Sequence, residues 1–147
     1  MSFDSKILSV TPIHLSIPLT KPVYVSTFHM KSVETCLVKV RTRDGLEGLG
    51  WSFAFGAERA RAIVAMVRDL SGILVGKDPT KLEDNWNAMR SSVSFVGRDG
   101  ISAMAIAALD TACWDISSKI SEMPLWKYLG GKKTQIRCYA SEGLWLN

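Results

Sequence analysis

One segment of the sequence, residues 97–131, constrains the fold more than any other. Its small and apolar residues recur with the three- and four-residue spacing of one helix face: Ile101, Met104, Ala105, Ala108, Leu109, Ala112, Cys113 and Ile116. The segment also contains five alanines, so another backbone can approach this helix closely. Asp99 is suited to cap the start of the helix, and Pro124 indicates that the helix ends before it. The pattern predicts a helix that other elements pack against on more than one side.

The residues before this segment predict a small antiparallel sheet. Alternating apolar residues predict strands at 6–17, 33–43 and 46–52, and Asp44-Gly45 is a typical hairpin turn between the last two. The third strand is weakened by Gly48 and Gly50. Pro18 and Pro22 predict that residues 18–32 form a loop. Three consecutive antiparallel strands make a meander with one face that needs cover.

Two helices predicted between the strands and residue 97 supply that cover. Residues 57–74 predict one helix, and Leu82, Trp86, Met89 and Val93 form the buried face of another. Pro79 is suited to the first turn of this second helix. Residues 135–140 predict a new strand. The fold class is therefore α+β, a three-stranded antiparallel meander followed by a helical bundle.

Composition narrows the function classes. The 147 residues are 47% hydrophobic and 22% charged, an ordinary globular balance. The formal net charge is +4, but the longest basic run is Lys132-Lys133, so nucleic-acid binding is disfavoured. No apolar run approaches the roughly 18 residues that span a bilayer, and the N-terminus lacks the apolar core of a secretory signal. Three cysteines without paired spacing favour a reduced, cytoplasmic protein over a disulfide framework.

The segment at 97–131 also resembles a known family. Its motif reads Ala105-x-Ala107-Ala108-Leu109-Asp110-x-Ala112, then Trp114-Asp115-Ile116, Lys119, Pro124-Leu125 and Leu129-Gly130-Gly131. This motif is similar to the mandelate racemase/muconate-lactonizing signature of the enolase superfamily. Cys113, Ser118 and Tyr128 depart from the expected residues, but these are size changes on a packing surface.

The resemblance implies a division of the chain into two parts. Residues 1–132 resemble the N-terminal capping domain of the family, and residues 133–147 resemble the first strand of its (β/α)8 barrel. The rest of the barrel is missing, so we expect the chain to represent a truncated enzyme.

The same resemblance implies chemistry outside this chain. It implies a small carboxylate substrate, Mg²⁺ with three carboxylate ligands, and lysine or histidine bases on later barrel strands. No catalytic or metal-binding residue is therefore expected here. The expected reaction is abstraction of the proton α to a carboxylate, with acid-sugar dehydration first and racemisation or epimerisation of a 2-hydroxy acid as the alternative. The full-length protein is expected to be a homo-oligomer.

The resemblance also implies substrate contacts in two loops that close over the barrel. These are residues 18–32 and 50–56, and the first barrel strand adds a serine hydroxyl in the pattern Tyr139-Ala140-Ser141. The expected substrate-binding residues are Trp51, Phe53, Val25, Thr27, His29 and Ser141. The alternatives are a hydrophobic plug on the sheet for the aromatic loop, a solvated loop for residues 18–32, and a strand end for Ser141.

A function of another class stays open at this point. The chain acting alone would be a catalytically inactive fragment or a small self-associating interaction module. Such a module would expose a large apolar surface and self-associate or aggregate.

Overall fold

The computed structural model describes residues 5–25 and 28–140. Their elements, in chain order, are β1 (Ile7–Val25), β2 (Phe28–Thr42), β3 (Glu47–Ala54), α1 (Ala57–Leu74), α2 (Leu82–Ser92), α3 (Ile101–Ile120) and α4 (Leu125–Tyr128). The strands form one antiparallel sheet in the order β1-β2-β3. The predicted α+β class, a meander followed by helices, is confirmed.

The first two strands form a longer hairpin than the sequence predicts. Residues 18–25 and 28–32 belong to β1 and β2, so the loop predicted at 18–32 is wrong. β1 is an edge strand, and an edge strand tolerates prolines because their missing N–H groups need no partner on the open side. The pairing register shifts between Pro18 and Val23, which accommodates the proline-rich part. β3 ends at Ala54, opposite Glu34, and the hairpin continues beyond that point.

Helices α1 and α3 cover one face of this sheet. The buried core combines Cys36, Val38 and Val40 of β2 with apolar side chains of both helices. The predicted stripe of α3 is confirmed for its central members, which are fully buried: Ala105, Ala108, Leu109, Ala112, Cys113 and Ile116. Ile101 lies at the helix start and is exposed instead.

The backbone of β3 packs directly on the alanine stripe of α3. A Cβ atom built on Gly50 would lie 1.9 Å from the carbonyl oxygen of Ala108, and one on Gly48 would lie 2.3 Å from that of Ala112. Only glycine fits at such distances. The close approach that the alanines predict is therefore confirmed, and the two glycines permit the packing rather than simply weakening the strand.

The open edge of β3 is closed by two side chains of α3. The backbone N–H of Leu49 donates to Asp115 Oδ2 at 2.9 Å, and Lys119 Nζ donates to the carbonyl oxygen of Glu47 at 2.7 Å. Asp115 and Lys119 also pair with each other at 2.8 Å. The i,i+4 pair therefore satisfies backbone groups that an edge strand would otherwise expose.

Two predicted helix starts differ from the structure. α3 follows Gly100, whose φ of 60° is a glycine conformation, and no side chain caps the helix, so the predicted cap by Asp99 is wrong. α2 begins at Leu82, after Pro79, which therefore does not lie in its first turn. Asp78 organises the turn that precedes α2, accepting hydrogen bonds from the backbone N–H and the hydroxyl of Thr80 at 2.8 and 2.7 Å.

The segment after α4 forms no strand in the described part of the chain. Residues 135–140 are exposed, and no described strand lies beside them to supply a hydrogen-bonded ladder. The strand predicted there is therefore absent from the described residues. Within residues 5–25 and 28–140, no helix combines the length and apolar character needed to cross a bilayer.

Candidate functional site

The face of the sheet that the helices leave open carries the aromatic residues that the sequence singled out. Cross-strand partners point to the same face of a sheet, and Trp51 pairs with Leu37, which in turn pairs with Ile13. Phe53 pairs with Thr35 in the same way. We call this surface the outer face, made of Ile13, Leu15, Thr35, Leu37, Leu49, Trp51 and Phe53. Among the large side chains of β3, that of Trp51 is the most exposed, at 63%.

The aromatic residues lie on a strand rather than on a loop. The loop predicted at 50–56 is mostly wrong, because β3 continues to Ala54 and pairs there with Glu34. The strand alternation turns Gly50, Ser52 and Ala54 toward the helices and leaves Trp51 and Phe53 outward. Their positions are therefore fixed by the sheet.

A short aromatic cluster ends the strand. The rings of Phe53 and Phe55 meet edge to face, with centroids 4.7 Å apart. Phe55 is half-exposed, and Gly56 follows with a φ of 105° before α1 begins. Only residues 55 and 56 form the connection, so the aromatic surface stands at the end of β3 on a rigid support.

The hairpin brings His29, a predicted substrate-binding residue, against Tyr24. Tyr24 and His29 are cross-strand partners, and their rings meet edge to face at 4.4 Å. Val25 pairs with Phe28 at the last described position of the ladder. Thr27 lies outside the described residues.

The Tyr24–His29 pair lies far from Trp51 along the sheet. His29 and Leu37, the partner of Trp51, are eight positions apart on β2, which is about 26 Å of strand. His29 lies toward the end of β2 opposite the Asp44 turn, whereas Leu37 and its partner Trp51 lie nearer that turn. The described residues thus form two separate contact surfaces on one sheet, and Ser141 lies outside them.

A buried carboxylate stands where the hairpin leaves the three-stranded part of the sheet. Glu34 is almost fully buried and accepts hydrogen bonds from Ser16 at 2.7 Å and Ser32 at 2.6 Å. His14 Nε2 lies 2.6 Å from its other oxygen. These residues connect β1 and β2 through side chains as well as backbone, so they brace the base of the hairpin.

The hydrogen bonds keep Glu34 ionised. Those from Ser32 and Ser16 are the main cause that lowers the pKa of Glu34 from 4.5 to about 2, His14 adds to them, and burial opposes them. This cluster is not predicted from the sequence. The available signal was a glutamate at an inward position of β2, two residues before the buried Cys36.

The described residues offer no metal centre or activated thiol. No three histidine, cysteine, aspartate or glutamate side chains among them are grouped to hold a metal ion. Burial raises the pKa of Cys113 to about 12 and also raises that of Cys36, so both thiols stay protonated and unreactive near neutral pH.

Comparison with known proteins places this arrangement in a family. The model of the mandelate racemase / muconate lactonizing enzyme N-terminal domain matches residues 7–130. L-talarate/galactarate dehydratase of Salmonella typhimurium strain LT2 is 31% identical over 137 residues, which cover 89% of this chain and 34% of that relative. The chain thus spans about a third of the length of this relative.

Solved structures agree with the sequence match. L-talarate dehydratase from Polaromonas sp. JS666, complexed with Mg and L-glucarate, superposes with a TM-score of 0.86 at 28% identity, covering 94% of this chain and 38% of that one. An enolase from Bradyrhizobium, complexed with magnesium and mandelic acid, gives 0.78 at 27% identity, covering 89% and 36%. The chain belongs to the mandelate racemase/muconate lactonizing enzyme family of the enolase superfamily and carries its N-terminal domain.

Proposed function

We propose that this chain is the substrate-capping part of a metal-dependent enzyme that removes the proton α to a carboxylate, and that its reaction is the dehydration of an acid sugar. The observation that carries the proposal is an exposed aromatic surface, centred on Trp51, held on a rigid strand in a domain 31% identical to that of an L-talarate/galactarate dehydratase. An aromatic surface of this kind excludes water from a reacting centre.

The hairpin supplies the polar part of the proposed contact surface. Tyr24 is 60% exposed and carries a hydroxyl, and His29 beside it is exposed as well. Hydroxyl and imidazole groups suit a polyhydroxy acid, whose oxygens need hydrogen-bond partners. Thr27 and Ser141 are proposed to add hydroxyls, and Val25 an apolar contact, as the family resemblance implies.

The proposed cofactor is Mg²⁺, but the described residues do not fit it. Among the described residues, no three side chains of the kinds that bind metals are grouped to hold the ion. Carboxylates outside the described residues would hold the ion. A bound Mg²⁺ would stabilise the negative charge that develops when the α-proton leaves. The part assigned to this domain is to orient and enclose the substrate.

The test is a turnover assay on the native protein. It is incubated with a panel of acid sugars that includes galactarate and L-talarate, with Mg²⁺ and after chelation by EDTA. We expect dehydration of at least one acid sugar and its loss on chelation. Turnover of dipeptides or muconates alone would refute both the dehydratase proposal and its racemase alternative.

Racemisation of a 2-hydroxy acid is the second candidate. The structure from Bradyrhizobium holds magnesium and mandelic acid, an aromatic 2-hydroxy acid, and the surface at Trp51 and Phe53 is itself aromatic. The same assay separates the two reactions, because a racemase exchanges the α-proton with solvent deuterium without losing water. Proton exchange on mandelate with no dehydration of any acid sugar would favour the racemase.

We also propose that the native protein is a homo-oligomer. Ile17 and Leu49, which are not among the proposed substrate contacts, expose about half of their surface on the helix-free side of the sheet. A chain that acts alone as an interaction module would bury the same surface by self-association. The native mass in solution, measured by light scattering, distinguishes a defined oligomer from a monomer.

A further inference from the structure

A groove between α2 and α3 combines two indole rings with two carboxylates. It has a volume of about 360 Å³ and is lined by Leu82, Glu83, Trp86, Asp110 and Trp114. It lies on the helical layer, and none of these residues belongs to the outer face. None of them is among the proposed substrate contacts.

Asp110 is the unusual member of this group. Its carboxylate is half-buried, its own side chain accepts a hydrogen bond from Trp114, and no cation forms part of its surroundings in the described residues. Burial raises the pKa of Asp110, and the Trp114 hydrogen bond only partly opposes this. Burying part of a carboxylate without a cation costs free energy, and a positively charged ligand would offset that cost.

The walls of the groove favour a planar cation. Indole rings attract guanidinium groups through their faces, and Trp86 already has the guanidinium carbon of Arg90 at 6.0 Å from its ring centroid. Arg90 does not line the groove. Trp114 is held in place by the Tyr128 ring of α4, edge to face at 5.8 Å. Arginine satisfies both requirements, since it stacks on an indole while donating to a carboxylate.

The surroundings favour an arginine carried by a polypeptide over a free small molecule. The segment that carries Tyr128 also exposes Met123, Trp126 and Leu129, each by 41–59%. The Tyr128–Trp114 contact links this segment to the groove, and exposed apolar side chains joined to a charged anchor are typical of a protein interface. We propose that the groove between α2 and α3 docks an arginine side chain of a polypeptide partner, with Asp110 as its ion-pair acceptor and Trp86 and Trp114 as its stacking walls.

The test uses the indole N–H signals of Trp86 and Trp114 in the ¹⁵N-labelled chain. They are followed by NMR during titration with the peptide acetyl-Ala-Arg-Ala-amide. The matched control peptide replaces arginine with citrulline, which has the same shape without the charge. We expect saturable shifts with the arginine peptide and binding about tenfold weaker with the citrulline peptide. Equal shifts with both peptides would overturn the proposal.

Protein variants separate this role from a structural one. Asp110→Asn should weaken arginine binding about tenfold while leaving the melting temperature unchanged or higher, because it removes an uncompensated buried charge and keeps an acceptor for Trp114. Asp84→Asn, an exposed acid of α2 outside the groove, is the control and should leave binding unchanged. A clear fall in the melting temperature of Asp110→Asn, or unchanged binding by it, would contradict the proposal.

Arg90 provides the last check. If Arg90 itself filled the groove, Arg90→Gln would free the site and tighten peptide binding about tenfold. We expect unchanged or slightly weaker binding, because Arg90 lies over Trp86 outside the groove lining. A tightening of binding would identify Arg90 as the cation of the groove and overturn the inference.

Discussion

The two faces of β3 differ in the size of their side chains. The inward positions carry Gly48, Gly50 and Ser52, whereas the outward positions carry Leu49, Trp51 and Phe53. The small residues are the buried ones, because the backbone of α3 lies too close for a side chain at the two glycines. The large apolar residues are thus left for a partner or ligand. On this strand, the large hydrophobic residues form the outward surface, and the small residues form the part that packs in the core.

The largest expected effect comes from filling the inward face. In Gly50→Ala the new Cβ would lie 1.9 Å from the carbonyl oxygen of Ala108, which is backbone and cannot rotate away. We expect a loss of unfolding free energy of at least about 3 kcal/mol, measured by urea denaturation. Gly72→Ala is the control, because its Cβ meets nothing within 4 Å and it lies in α1. That control should gain about 0.5–1 kcal/mol, and equal losses in both variants would contradict the packing account.

The next effect concerns Glu34, the charged residue among the inward positions of β2. Glu34→Gln should cost on the order of 2 kcal/mol at pH 7, because the serine and histidine partners lose a charged acceptor. The folded-state pKa is lowered from 4.5 to about 2, so the stabilisation is present above pH 4.5 and lost as the pH falls toward 2. The stabilities of wild type and variant should therefore converge near pH 2.

The control for this pH dependence is Glu47→Gln. Glu47 is an exposed glutamate of β3 whose side chain lies 3.5 Å from Lys39. An exposed pair of this kind contributes less than about 1 kcal/mol. A constant difference between wild type and Glu34→Gln from pH 7 to pH 2 would contradict the role given to the buried carboxylate.

A smaller effect is expected at the open edge of β3. Asp115→Ala removes the acceptor of the Leu49 N–H and the partner of Lys119. We expect a loss of about 1 kcal/mol, measured by chemical denaturation. Thr111→Ala, one turn earlier on α3, is the control, because its hydroxyl bonds only within its own helix. A loss no larger than that of the control would show that the edge contact contributes nothing to stability.

Much of the fold could be predicted from the sequence, because α3 and the turn at Asp44-Gly45 follow local rules of spacing and turn chemistry. The hairpin at residues 18–32 could not, because pairing between β1 and β2 overrides the local signal of Pro18 and Pro22. Asp99 does not cap α3, because Gly100, with a φ of 60°, occupies the N-cap position and no side chain caps the helix.

The position of the aromatic residues was predictable only in part. Family resemblance predicts Trp51 and Phe53 as substrate-binding residues, a role that stays a prediction, and the structure places both on the open face of the sheet. The sequence did not indicate that a rigid strand carries them, because Gly48 and Gly50 suggest a weak strand until the backbone of α3 is placed beside them. The Glu34 cluster was missed, since its members are spread over 20 residues and meet only through strand pairing.

The central claim is that the outer face of β3 serves the ligand and not the fold. The most direct test is the kcat/KM of the native protein carrying Trp51→Ala, with Leu49→Ala as the matched control on the same face. We expect Trp51→Ala to keep its unfolding free energy within about 0.5 kcal/mol and to lower kcat/KM for the best acid sugar about tenfold. Unchanged kcat/KM, or a stability loss of several kcal/mol, would contradict the claim.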